Sequence, residues 1–191
     1  LEGYCGTLEH DHETTLYRFG CRHAECNVHL DRYLKKNTED TGNSWSKDMS
    51  ELFNDMNLQR HFAKEHGQNH LEDVVLTEFE NRYDAILEKG RIENTTTKIK
   101  WAKREEKSLL NRLAKYKANH LLFIHDFSVE YSNNLSERDL RKCKNRQKMA
   151  GGFRNMDGCN MYCQIMSVIE TAKRRGINSY SAIQKILSQT N

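Results

Sequence analysis

Two acids and a small group of soft donors carry the chemistry this chain could perform. Glu137 stands at the head of NNLSERDLRKCKNRQKMAGGFR, residues 133–154, and Asp11 lies in HDHE, residues 10–13. Glu137, Arg141, Lys144 and Lys148 recur at helical spacing and so share one face. A carboxylate at the end of a basic stripe suits phosphodiester chemistry. The acid holds a hard divalent cation, and the cations beyond it grip a DNA backbone without reading its sequence. The same pattern has a structural account. With Asn134 as N-cap, Glu137 falls at the third helical position and can close a capping box, or it can pair with Arg141 one turn on.

Asp11 ends GTLEHD, residues 6–11, a short strand-like stretch. Open α/β sheets place ligands at the C-terminal ends of strands, although an acid there is also ordinary turn chemistry. Cys26 and His29 form C-x2-H, with Cys21 and His23 nearby. A structural zinc site needs four ligands, usually as two such pairs, and no convincing second pair follows, because Cys159 and Cys163 fall on a helix face that the core needs. The chain has six cysteines, without CxxC pairs or the density of a disulfide scaffold, which suits a reducing cytosol. Gly151 and Gly152 either admit a phosphate to backbone N–H groups or simply stop a helix.

The elements that must position these groups are mostly helical. The chain has 191 residues and no proline, and 37% hydrophobic content, enough for a modest core. A net charge of +3 is too small to argue for a polyanion partner, so placement matters more. Between Arg138 and Arg154 there are seven Lys or Arg and one acid, Asp139. The longest apolar run, LLFI at 121–124, is far short of the roughly 18 residues of a membrane span. A soluble, cytoplasmic protein is expected.

Residues 21–36 place Cys26, Leu30, Tyr33 and Leu34 on a helical stripe. Trp45, Met49, Leu52, Phe53 and Met56 form a second stripe, ending near Gly67. Val75, Phe79, Ile86 and Leu87 form a third, with Gly90 expected as its left-handed cap. Ile99, Ala102, Leu109, Leu110 and Leu113 form a fourth. LLFIHDFSV, residues 121–129, predicts a strand buried on both faces. The basic helix follows, then the loop AGGFRNMDG, a helix with Met161, Ile165, Met166, Val168, Ile169 and Ala172 that stops at Gly176, and a last helix with Ile183, Ile186 and Leu187.

The stretches HDHETTLYRFG, RHAECNVHLDRYL, HLLFIHDFSVEYSNNLSERDLRKCKNRQKMAGGFR and SVIETAKRRGINSYSAIQKIL resemble the C-terminal part of the insertion sequence sixty-six family of bacterial transposases. The pattern NN-x-x-ER-DLR-x-x-K-x-x-x-K-x-x-GGFR carries most of the specificity. The resemblance implies a DDE enzyme on an RNase H-like fold, in which three carboxylates hold two Mg²⁺ ions that cut and rejoin DNA at transposon ends.

On that basis Asp11 is the second acid and Glu137 the third. Cys26 and His29 match a C-x2-H that organises the site, and Arg138, Arg141, Lys144, Lys148 and Arg154 contact DNA. The family's first aspartate is expected upstream of Leu1, so residues 1–191 are expected to be inactive alone. A decayed, non-catalytic DNA-binding remnant is the alternative. Where the family has a proline before the Asn-Asn pair, this chain has Glu130. The implied class is α/β and mostly helical: a partial RNase H-like core at 1–44 and 119–191 interrupted by a helical insertion at 45–118. Strands 6–10 and 121–127 would be parallel neighbours, and bare sheet edges would favour association with a second copy or with an N-terminal region of the same protein.

Overall fold

A computed structural model describes residues 3–20 and 22–188, which fall into two units, Leu1–Asn133 and Asn134–Asn191. Cys21 and the side chain of Ile186 lie outside the described residues.

In the first unit, β1 (Thr7–His10) pairs in parallel with β2 (Arg22–Glu25), Thr7 opposite Arg22 and His10 opposite Glu25. A short 3₁₀ helix, Thr14–Arg18, lies between them. Two strands alone are marginal in water, so the sheet depends on the helices packed around it. These are α1 (Asn27–Thr41), α2 (Trp45–Glu65), α3 (Asp73–Thr96), α4 (Lys100–Lys115) and α5 (Lys117–His125).

The expected stripes form the core in part: the α2 stripe does so fully, whereas Ile99, Met161, Ile165 and Leu187 of the others are exposed. Trp45, Met49, Leu52, Phe53 and Met56 of α2 are all buried, and they share one cluster with Phe79, Leu87, Leu110, Leu113 and Leu121. The fully buried Glu106 ties three of these helices together. It accepts hydrogen bonds from Trp45 Nε1 (2.7 Å), Asn43 Nδ2 (2.7 Å), Asn94 Nδ2 (2.8 Å) and Thr97 Oγ1 (2.8 Å). Burial alone would push its carboxyl pKa up, but these donors outweigh burial and hold it below the ordinary value.

Three expectations are corrected. Residues 121–125 are not a strand: they complete α5, so β1's parallel neighbour is β2 and not residues 121–127. An element with almost no solvent face loses the periodicity that separates helix from strand. His120, Leu121, Phe123 and Ile124 are all buried, and a leucine-bearing run satisfies its backbone as a helix without needing a partner strand.

The helix expected from residue 21 begins only at Asn27, because Arg22–Glu25 are β2 and Cys26 is the N-cap; Tyr33 of that stripe is half exposed. Gly90 does not end its helix, since α3 runs on to Thr96. It is required for space instead: a Cβ there would lie 2.8 Å from Trp45 Cδ2 and 2.6 Å from Leu110 Cδ2.

The second unit contains α6 (Asn134–Met149), α7 (Met156–Arg174) and α8 (Ser179–Ser188). Asn155 caps α7 by accepting from the Gly158 N–H at 2.8 Å, and the left-handed Gly176 (φ 69°) follows its end. Lys142–Glu170 and Arg174–Asp139 ion pairs join α6 to α7. The mostly helical α/β class therefore holds, with eight α-helices and a two-stranded parallel sheet among the described residues.

Gly90→Ala measures how closely α3, α4 and Trp45 approach. Overpacking costs about 1–3 kcal/mol, and the helical gain of alanine returns about 1 kcal/mol. Urea denaturation should therefore show a net loss of stability; a stabilised variant would mean that the helices part easily.

Candidate functional site

Asp11 leaves β1 at the strand's C-terminal end, with its side chain 41% exposed. Two groups hold the same oxygen. His29 Nδ1 lies 3.1 Å from Asp11 Oδ1, and the Asn133 amide donates to that Oδ1 at 2.6 Å. Both of these contacts fall on Oδ1. Cys26 and His29 meet because the first turn of a helix brings residues three apart together, with Cys26 Sγ 3.3 Å from His29 Nδ1.

The ligand atoms of Asp11, Cys26 and His29 all lie within 4.8 Å of one another. Burial pushes the Cys26 thiol up from its ordinary value, so at neutral pH it is a protonated anchor for the turn. Asn133 reaches the cluster because its segment is fastened over the start of α1. Asn27 N donates to Tyr131 O at 3.1 Å, and the Tyr131 ring packs edge-on to Phe123.

Glu9, two residues before Asp11, lies near enough to feel its charge. Its Oε1 is buried without a hydrogen-bond partner among the described residues, and burial, with the charges of Glu130 and Asp11, raises its pKa to about 7. Arg60, buried on α2, donates to Phe127 O (3.2 Å), Val129 O (2.9 Å) and Glu130 Oε2 (3.2 Å). Glu130 thus belongs to an anchored turn. Asn133, Glu9 and Arg60 were missed from sequence. The Asn-Asn pair and the alternation in TLEHD were available signals for the first two, whereas nothing local marked Arg60.

Behind Asp11 lies a second network, centred on Glu25, whose side chain is fully buried. It accepts from Tyr17 Oη (2.5 Å) and from Arg112 Nε (3.1 Å) and Nη2 (2.6 Å). His12 Nδ1 lies 2.7 Å away and His120 Nε2 3.4 Å away. Burial opposes ionisation of Glu25, but the charged and hydrogen-bonding partners outweigh it and bring its pKa down to about 2. Burial, the largest influence on His120, lowers that imidazole to about 4. His120 is therefore neutral at pH 7, and Arg112 and Tyr17 hold the Glu25 anion.

In the second unit, Glu137 occupies the first turn of α6, half-buried, where a carboxylate complements the helix dipole. Arg138, Arg141, Lys144 and Lys148 of α6 and Arg154 beyond it are all exposed, so the basic surface is free of core duties. No helix among the described residues is long and apolar enough to cross a membrane.

The family model for the transposase IS66 family matches residues 1–161, which includes Asp11, Cys26, His29, Asn133, Glu137 and the basic stretch. The chain belongs to that family of transposases. No curated protein and no solved structure matches it significantly.

The buried network makes the first unit acid-sensitive in a defined way. As pH falls, an unfolded His120 takes up a proton near 6.5 while the folded one resists to about 4, so this group lowers stability across that window, and the raised Glu9, protonated earlier in the folded chain, opposes it between about 7 and 4.5. Glu25 continues the loss from 4.5, its ordinary value, to about 2. Glu25→Gln should flatten the lower part of the urea-midpoint profile and cost on the order of 3 kcal/mol at pH 7. A Glu25→Gln midpoint that falls between pH 4.5 and 2 as steeply as the wild type's would refute the account.

Proposed function

We propose that residues 1–161 form part of a DDE-type catalytic domain that cuts and rejoins DNA strands with divalent metal, Asp11 and Glu137 supplying two of its acids. The observation that carries this reading is the fixed Asp11 carboxylate. His29 and Asn133 hold Oδ1, at the end of a strand, on a partly exposed side chain. That arrangement orients Oδ2 for a cation and prepays the cost of ordering the ligand.

The donor set fits Mg²⁺ at the carboxylates only. Hard cations take oxygen, whereas the Cys26 thiol and His29 imidazole are softer donors, suited here to positioning Asp11. A divalent cation held there would supply Lewis acidity to a scissile phosphate and to an attacking water or 3′-hydroxyl. Glu137 stands four residues beyond Asn133 in the chain, so the same Asn-Asn turn that steadies Asp11 leads directly into the helix with the third acid. The basic face of α6 would grip the DNA backbone, leaving the choice of transposon end to other residues. β1 and β2, with the helices behind them, would be part of an RNase H-like core carrying α2–α4 as a helical insertion.

The reading is tested by Mn²⁺ uptake, followed as loss of the free-ion signal in electron paramagnetic resonance. Asp11→Asn should abolish uptake at this site, and Asn133→Ala should weaken it by about tenfold, the usual effect of losing a partner that orients a ligand. Equal uptake by wild type and Asp11→Asn would remove Asp11 from the metal site.

A further inference from the structure

α3 and α4 enclose an open groove of ≈ 560 Å³ whose charge is of one sign. Arg91 comes from α3, where Glu88 pairs with it, and Lys100, Lys103, Arg104 and Lys107 come from α4; among the described residues no carboxylate lines the groove. The α4 cations sit at offsets of three, four and seven residues from Lys100, so they form a single stripe roughly 10 Å long at 1.5 Å rise per residue. The inward face of the same helix is set separately by Ala102, Glu106, Leu110 and Leu113.

Two observations set this stripe apart from a merely solvated face. Several exposed cations on α1 and α3 are neutralised: Lys35 by Asp31 (2.6 Å), Lys36 by Glu105 (3.1 Å), Arg82 by Asp55 (2.8 Å), Lys89 by Asp48 (2.5 Å), and Arg91 at the groove's edge by Glu88. Lys100, Arg104 and Lys107 have no ion-pair partner among the described residues. The stripe also begins at the wrong end of its helix. The N-terminus of α4 carries the positive pole of the helix dipole, yet its first turn holds Lys100 and no acid. Folding gains nothing from this charge pattern, and an anionic partner would. Trp101, 53% exposed, offers an apolar ring beside the stripe.

We propose that the α3–α4 groove is a DNA-backbone contact, additional to the basic face of α6 and independent of base sequence. It rests on the reading above only in taking duplex DNA as the polyanion. Each phosphate neutralised by a lysine or arginine releases condensed counterions, so the contact weakens steeply with salt.

The test is fluorescence anisotropy of a labelled duplex of arbitrary sequence, titrated with the whole chain at several salt concentrations. The groove variant, Lys100→Gln with Arg104→Gln and Lys107→Gln, should bind more weakly. Its slope of log affinity against log salt should be shallower by about two to three, close to 0.9 for each phosphate no longer neutralised. Its thermal midpoint should stay level or rise, because charges that oppose a helix dipole have gone. A charge-matched control, Lys35→Gln with Lys47→Gln and Arg82→Gln, separates the groove from net charge.

Affinity and slope equal to those of the control overturn the proposal. So does release of the duplex by poly-glutamate as readily as by unlabelled duplex, which would make an acidic protein the partner. If Arg138→Gln with Arg141→Gln and Lys144→Gln abolishes binding while the groove variant binds normally, the inference fails and the α6 assignment stands. The opposite pattern removes α6 and keeps the groove. A wild-type chain that binds no duplex overturns both.

Discussion

A single buried carboxylate, Glu25, holds the sheet to the helices. A two-stranded sheet cannot stabilise itself, and burying an anion is tolerable only when its oxygens are fully satisfied. Glu25 meets both demands by drawing His12 from the loop after β1, Tyr17 from the 3₁₀ turn and Arg112 from α4 around one point, with His120 of α5 close by. The loop it fastens is the one that carries Asp11. His12 adopts a left-handed backbone conformation (φ 65°) there, which the pull of its ring toward Glu25 helps to maintain.

Asp11 is consequently held from three directions: by the strand it terminates, by the first turn of α1 through His29, and by Asn133 at the end of the segment that Arg60 and Tyr131 fasten. A carboxylate ordered in this way before any ligand arrives loses little entropy on binding one. Glu9, with a carboxyl raised to about 7 and close enough to sense the Asp11 charge, adds further negative potential when ionised. The helical block serves as a buttress for this loop, and its own outer surface is left to charge.

Much of the architecture was legible, for reasons that differ between elements. The stripe of Trp45, Met49, Leu52, Phe53 and Met56 announces α2 because one face meets the core and the other meets water, and the structure buries all five. Residues 121–125 offer no such contrast, since burial on nearly every side erases the period, and the apolar run reads as a strand where the chain forms a helix. Gly90 was mistaken for a cap because glycine permits two explanations, a left-handed turn or a close approach, and only the neighbours Trp45 and Leu110 decide between them. The pairing of Cys26 with His29 was visible as a three-residue spacing. The amide of Asn133 on Asp11, 122 residues away in the chain, was not.

The sequence by itself determined the family, the helical class, the basic face of α6 and the candidate acids, because these depend on residue type and local period, which chain order preserves. The tertiary structure alone decided that β1 pairs with β2, that Asn133, His29 and Asp11 share an oxygen, and that Glu25 and Glu106 are buried hubs. Those facts are contacts between residues far apart in sequence, selected by which arrangement satisfies every buried donor and acceptor at once, and no local pattern encodes that sum.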